Sequence, residues 1–392
     1  MNRQEVEEKL RECKSREYIL QLPTSFGKTK IAIDLLNNFQ SVNKILIVCP
    51  KLVLFQTWKD ELIKWNKSEL LNKVKFSTYV GLHNNIDNYD VLILDECHHI
   101  TDRSIDIIKA YNFNYKICLS ATIKKDSYFK LTQILSNPYF LKVSVKDAIE
   151  EDILPSPTIY LLPLILDDSK KQYQFIKNSK AKKVVECNYS ERWKYIRDKN
   201  TKVIINCTAK EYITELDSQI EYYKNRYLQG RVGYIKNLWL QKAGERLKFL
   251  SKIKEPMILK IQEKLGNTRT LTFCSDIAQT ERLGKNAINS KSGNSSDILN
   301  LFNKGEINHI TACNMLNEGI NLVNCRVGIW GYINASEIMT VQRIGRILRH
   351  KKPIIIIPYY LGTREQELIQ DILETVDKKC IKVISNLNNL KL

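Results

Sequence analysis

The sequence predicts an α/β protein: two parallel-sheet domains with a basic, mainly helical module inserted between them. Three observations carry this. Short apolar runs such as Ile45–Cys49 and Val91–Leu94 alternate with amphipathic helical stretches, the pattern of strands buried on both faces of a parallel sheet. The alternation stops near Ser144 and resumes at Thr270–Cys274. In between, Lys170–Lys264 holds 23 Lys/Arg against 10 Asp/Glu, which places most of the net charge of +18 in about a quarter of the 392 residues. The expected boundaries are 1–160, 161–265 and 266–392.

Each element has its own warrant. Val6, Leu10 and Cys13 share one face of a helix over residues 2–16. A strand at Tyr18–Leu22 leads through Pro23–Thr29 into a helix with Ile31, Ile33, Leu35 and Leu36. Ile45–Cys49 is a buried strand ended by Pro50-Lys51, and the following helix carries Leu54, Trp58, Leu62 and Trp65 on one stripe, both tryptophans being expected in the core. Val74–Thr78, Asp90–Leu94 and Lys116–Leu119 read as further strands. Val145–Glu151 is a short helix broken by Leu154-Pro155-Ser156-Pro157, and Ile159–Leu166 is extended. In the second half Thr270–Cys274, Ile307–Ala312 and Arg326–Trp330 are strands, Ser336–Arg349 is a helix, Pro353–Pro358 is the last buried strand, and the tail from Thr363 is one or two helices.

Composition narrows the function classes. A pI of about 9.3 points to a polyanionic partner, nucleic acid before a membrane surface. The ten cysteines include no CxxC pair and the five histidines complete no zinc pattern, so reduced thiols in a cytoplasmic setting are expected. The first residues form no apolar signal region, and the longest apolar runs are far too short for a bilayer. Twelve aromatics are interleaved with the cations of Lys170–Lys264. They suit either a grip on phosphates and bases or the small core of a helical module beneath a solvated basic surface.

Chemistry concentrates at three places. Asp95-Glu96 ends an apolar strand, where open α/β sheets bind ligands; one carboxylate can hold Mg²⁺ and the other can orient a water. Strand, tight loop, Gly27-Lys28-Thr29 and helix is an arrangement that cradles phosphates, although Leu22 takes the position of the first glycine of the usual pattern. On the helix Ser336–Arg349, Gln342, Gly345, Arg346 and Arg349 share a face suited to phosphate rather than to a core.

Lys28-Thr29, Asp95-Glu96-Cys97-His98, Ser120-Ala121-Thr122 and Gln342–Arg349 resemble motifs I, II, III and VI of superfamily 2 helicases, the DEAD/DEAH-like motors. Pro50 to Trp58, Ser77–Leu82, Thr272–Asp276 and Cys313–Asn321 are similar to motifs Ia, Ib, IV and V. The wording of motifs V and VI is closest to the DNA-directed group of phage repair, XPB-like and viral transcript-release helicases. The resemblance implies two RecA-like domains closing on ATP and Mg²⁺. It assigns the nucleotide to Thr24, Ser25, Phe26, Gly27, Lys28 and Thr29, with Gly319, Asn321 and Gln4. Thr29 and Asp95 would hold the metal, Glu96 the attacking water, and Gln342, Arg346 and Arg349 the γ-phosphate. Ser120, Thr122 and His98 would couple the nucleotide to the nucleic acid, with His98 and His99 joining the acidic pair to the second domain or to the Ser120–Thr122 turn. Pro50, Lys51, Thr78, Gly81, Ser275 and Cys313 would line the nucleic-acid path, Cys313 standing where many relatives carry Thr. The expected function is an ATP-dependent helicase or translocase moving 3′ to 5′ on DNA in virus or phage genome maintenance or transcription. It would act as a monomer, with a protein partner for targeting. Remodelling without strand separation, an RNA substrate and a non-catalytic scaffold are the alternatives.

Overall fold

The computed structural model describes residues 2–84, 87–313, 322–334, 347, 349–373 and 377–391. The first sheet is parallel throughout. Its strands are β1 (Glu17–Gln21), β2 (Ile45–Cys49), β3 (Val74–Thr78), β4 (Val91–Leu94), β5 (Tyr115–Ser120) and β6 (Tyr139–Lys142), in the order β3-β2-β4-β5-β1-β6. Alternate residues explain why these strands read as unbroken apolar runs. Ile45, Ile47, Val91 and Ile93 point to the side covered by α2 (Lys28–Leu36) and α3 (Val53–Lys64), where Leu35, Leu54 and Trp58 pack. Leu46, Val48, Leu92 and Leu94 point to the other, against Ile105 and Ile108 of α4 (Asp102–Lys109). The opening helix α1 (Arg3–Glu12) starts in a reciprocal Asn2–Glu5 cap and buries Val6 and Leu10.

The second sheet is parallel as well, in the order β12-β13-β11-β14-β15-β7-β16. It comprises β7 (Thr158–Leu164), β11 (Thr270–Phe273), β12 (Ala287–Ile288), β13 (His309–Ala312), β14 (Val327–Trp330), β15 (Ile354–Tyr360) and β16 (Ile381–Val383). Two expectations change here. The extended stretch after Pro157 straddles the expected 160/161 boundary, because Thr158–Leu164 pairs along its whole length with β15. The tail is not helical throughout either: it contains the largely exposed β16, which pairs with β7. Both strands find their partners at long range, which a local pattern does not encode.

The basic stretch is also less helical than expected. It holds a small sheet of β8 (Tyr173–Lys177), β9 (Lys183–Asn188) and β10 (Thr201–Cys207), in the order β8-β10-β9, whose Phe175, Val203 and Ile205 form a core with Leu216 of the helix that follows. Two long helices follow, α7 (Ala209–Gly230) and α8 (Gly233–Leu265). The end of α8 leaves this module: Ile258, Ile261 and Leu265 pack with Val327, Ile329 and Ile356 on the second sheet.

A buried ion pair fixes that junction. Lys254 Nζ lies 2.6 Å from Glu365 Oε1, with Lys254 fully buried and Glu365 nearly so. Glu365 Oε2 also accepts from the Tyr360 backbone N–H at 3.0 Å. Burial draws the Lys254 pKa down, and Glu365 opposes that. Lys254→Ala therefore leaves a buried carboxylate alone and is expected to cost about 3–5 kcal/mol of stability. Lys254→Met combined with Glu365→Gln is expected to restore most of it, and denaturant midpoints of the two variants would show the difference.

Candidate active site

Every first-domain motif leaves the carboxyl edge of the first sheet, because all six strands run the same way. The loop after β1 is held by backbone bonds from Leu22 N–H to the Ser120 carbonyl (2.9 Å) and from Phe26 N–H to the Pro23 carbonyl (3.2 Å), with Phe26 buried as its anchor. Ser25 and Gly27 both adopt positive φ, 72° and 100°. Gly27 precedes α2 with no side-chain cap, so the first N–H groups of the helix are left for an anion. The Thr24 hydroxyl is buried without a hydrogen-bond partner. An orphan donor beside an uncapped helix start fits a phosphate group. A side chain at Gly27 would be strained by the φ of 100°, and its Cβ would crowd the Arg3 guanidinium at 3.2 Å.

Asp95 is buried, and each of its acceptors is occupied. Oδ2 accepts from the Trp58 indole N–H at 2.9 Å, Oδ1 accepts from the Glu96 backbone N–H at 3.0 Å, and its carbonyl accepts from the Tyr79 hydroxyl at 2.9 Å. Burial, and then the negative charge of Glu96, push the Asp95 carboxyl up to about 6, while Lys28 and the indole pull the other way. Trp58 is core, as expected, but it also sets the orientation of this carboxylate. An indole that buries its ring and still donates looks the same in sequence as one that only packs. Tyr79 escapes a sequence reading for a similar reason.

Glu96 sits at φ 47°, in the left-handed region, which turns its side chain back over the phosphate loop. Its Oε1 lies 2.7 Å from Lys28 Nζ. Its Oε2 faces Ser120 Oγ at 3.4 Å and His98 Nδ1 at 3.5 Å. Ser120 Oγ accepts from the Thr122 N–H at 3.3 Å, lies 2.9 Å from the Thr122 carbonyl, and meets His98 Nδ1 at 2.9 Å, with the imidazole tautomer setting which of the two donates. Of the two partners expected for the histidine pair, His98 therefore meets the Ser120–Thr122 turn.

Arg349 reaches this loop from the second domain. Its Nε donates to Ser25 Oγ at 3.0 Å, across 324 residues of sequence. Much of its side chain is open to solvent by area, yet crowding around the guanidinium lowers its pKa, with Glu61 of α3 acting against that. Ile347 seats the segment: it is fully buried, and a Cβ at Gly328 of β14 would come within 2.8 Å of it. Gln342, Arg346, Gly319 and Asn321 lie outside the described residues, as does most of the helix expected at Ser336–Arg349.

The comparisons with known proteins agree with this geometry. Residues 3–125 match the family model of the type III restriction enzyme res subunit, and residues 245–351 match the helicase conserved C-terminal domain. The DNA 3′-5′ translocase XPB2 of Sulfurisphaera tokodaii is 23% identical over 86% of this chain and 76% of its own length. The chain belongs to superfamily 2 of the helicases. Among solved structures, the Pyrococcus furiosus Hef helicase domain superposes with a TM-score of 0.51 at 14% identity, over 94% of this chain and 97% of its own. Dbp5 of S. cerevisiae bound to RNA and ADP BeF3 gives 0.60 at 10%, over 97% and 89%. The two sheets are thus RecA-like helicase domains.

The remaining expected positions of this helicase fall in different settings. Pro50 and Lys51 follow β2, Thr78 ends β3 and Gly81 follows it, all partly exposed on the edge that carries the nucleotide loop. Thr78 Oγ1 accepts from the Gly81 N–H at 2.9 Å. Ser275 is tied to Gln279, whose Oε1 accepts from both its N–H (2.7 Å) and its hydroxyl (3.0 Å). Cys313 does not fit the expectation: its side chain is buried in the cluster that contains Cys274, so it fills the core and offers no surface to nucleic acid. Thr29 is partly exposed on the first turn of α2. Gln4 is exposed on α1, and it is its neighbour Arg3 that lies over Gly27. No cluster of three metal-ligating side chains occurs among the described residues. No helix among them is long and apolar enough to cross a membrane.

Proposed function

We propose that this helicase is an ATP-driven DNA motor that moves 3′ to 5′. The observation that carries the reading is the split site, in which Lys28 and Glu96 form a pair at 2.7 Å while Arg349 touches the same loop from the other domain. ATP would bind with its phosphates on the Gly27–Thr29 loop. Mg²⁺, held by Thr29, Asp95, phosphate oxygens and water, would supply charge neutralisation, in keeping with the few protein ligands this ion usually takes. Glu96 would orient the attacking water, and Arg349, with Arg346 and Gln342, would meet charge building on the γ-phosphate. Such sites work by positioning and electrostatics, so turnover would follow closure of the two domains. Pro50, Lys51, Thr78, Gly81 and Ser275 would line the nucleic-acid path.

DNA is preferred because XPB2, 23% identical to this chain, is named a DNA translocase. That name also favours the second reading, translocation that remodels complexes on DNA without strand separation. ATP hydrolysis measured with single-stranded DNA, duplex, forks and RNA tests the proposal. Stimulation by DNA above RNA is expected, and no stimulation by any nucleic acid would sink it. Strand unwinding beside triplex displacement separates the two readings.

A further inference from the structure

The hairpin of α7 and α8 has an outer half that the fold leaves unexplained. The two helices are joined by Arg231 and Val232 alone and run antiparallel, as the Asp217–Arg246 ion pair and the Tyr227–Trp239 ring contact (6.0 Å) demonstrate. Between Ile220 on α7 and Leu250 on α8 only Ile235 is buried; Lys224, Asn225, Trp239 and Ala243 border a cavity shared with Gly362 to Gln370 of the second domain, and Leu228 to Tyr234 lie beyond it. Residues 222–244 carry Lys224, Arg226, Arg231, Lys236 and Lys242 and no acidic residue. Lys242 is paired with Glu245 at 2.7 Å, and the other four cations, which have no acidic residue among them, favour a polyanion.

The apex adds a second feature. Leu228, Val232 and Tyr234 are exposed there, Tyr234 by 62% and Leu228 by 51%. The hairpin's own core is the Tyr227–Trp239 contact, and these three side chains are outside it. Phosphates alone would call for cations, not for an aliphatic and aromatic tip.

Size decides what such a tip can meet. One helix with its side chains is about 10–12 Å across, and the DNA major groove, about 12 Å wide, admits one. A pair of helices side by side is about 20 Å across, too wide for either groove. The apolar apex can therefore touch bases only where they are unstacked or at an open end of the duplex. Resting on the nucleic-acid motor reading, we propose that the apex of this hairpin is a binding surface for unpaired bases at a junction between single strand and duplex, flanked by cations that hold the adjoining phosphates.

The test uses the full chain and fluorescence anisotropy with a labelled fork, a single strand and a blunt duplex of matched sequence. Leu228→Ser with Tyr234→Ser is expected to weaken fork and single-strand binding by about tenfold, with the blunt duplex within about twofold. Tyr234→Phe is expected to keep fork binding, since the ring still stacks. Arg231→Ala with Lys236→Ala is expected to weaken all three probes and to lower the salt slope by about one for each cation removed. ATP hydrolysis without nucleic acid is expected to stay unchanged throughout, because none of the substituted residues belongs to the nucleotide site. Equal losses on fork and duplex from the serine variant would reduce the apex to phosphate contacts and overturn the proposal. Unchanged binding of every probe would overturn it too, pointing to a protein partner at the apex. An unsubstituted chain that binds none of the probes would instead remove the motor reading beneath it.

Discussion

Glu96→Gln is expected to lower ATP turnover by about 10²–10⁴-fold, the range for loss of a positioned acid–base group, while ATP binding survives. The substitution keeps the shape of the side chain and removes its charge. In the free protein Glu96 is neutralised by Lys28 at 2.7 Å, so an incoming phosphate must draw the lysine away from a charged partner. With glutamine that competition falls, and ATP affinity is expected to be unchanged or tighter. The charge of Glu96 is also one of the influences that raise the Asp95 pKa, second to burial, so its loss leaves Asp95 the more readily ionised. Single-turnover hydrolysis beside titration calorimetry with ATP would measure both halves. Turnover near the unsubstituted rate would remove Glu96 from the catalytic role.

Arg349→Ala is expected to be at least as damaging to turnover, by about 10³–10⁵-fold if it acts as an arginine finger, with a much smaller change in ATP affinity. Arg349→Lys is not expected to rescue, because an ammonium cannot reproduce the planar fork of donors. Ser25→Ala separates catalysis from docking. It removes the 3.0 Å contact to Arg349 Nε and leaves the guanidinium in place. If that contact only parks the arginine before ATP binds, Ser25→Ala keeps most of the turnover. Equal losses in Ser25→Ala and Arg349→Ala would mean that the contact holds the domains together and that the arginine has no separate part in the chemistry.

The loop at Gly27–Thr29, the pair Asp95-Glu96 and the turn at Ser120–Thr122 were legible in the sequence because each is contiguous and each ends a strand whose apolar run is unmistakable. The side chains that hold these groups in place were not. Trp58 and Tyr79 hold Asp95 from 37 and 16 residues away; Trp58 read as a core aromatic, and Tyr79 carried no signal of its own within Ser77–Leu82. Cys313 looked like a surface position by analogy with its motif and proved to be packing. The strand β6 was missed because its Tyr139–Lys142 run is short, with only Leu141 buried, and β16 because only its pairing with β7 makes it a strand.

The Lys28–Glu96 pair marks the division. The sequence by itself determined the chemistry: which residues could bind phosphate and where strands would end, since apolar period and turn residues are local properties. It also placed the surplus charge between Lys170 and Lys264. Only the tertiary structure decided that Thr158–Leu164 joins the second sheet, that Lys254 closes on Glu365, and that Arg349 reaches Ser25. Those choices depend on which distant surfaces bury one another, and burial is settled by the packed chain as a whole rather than by any stretch of it.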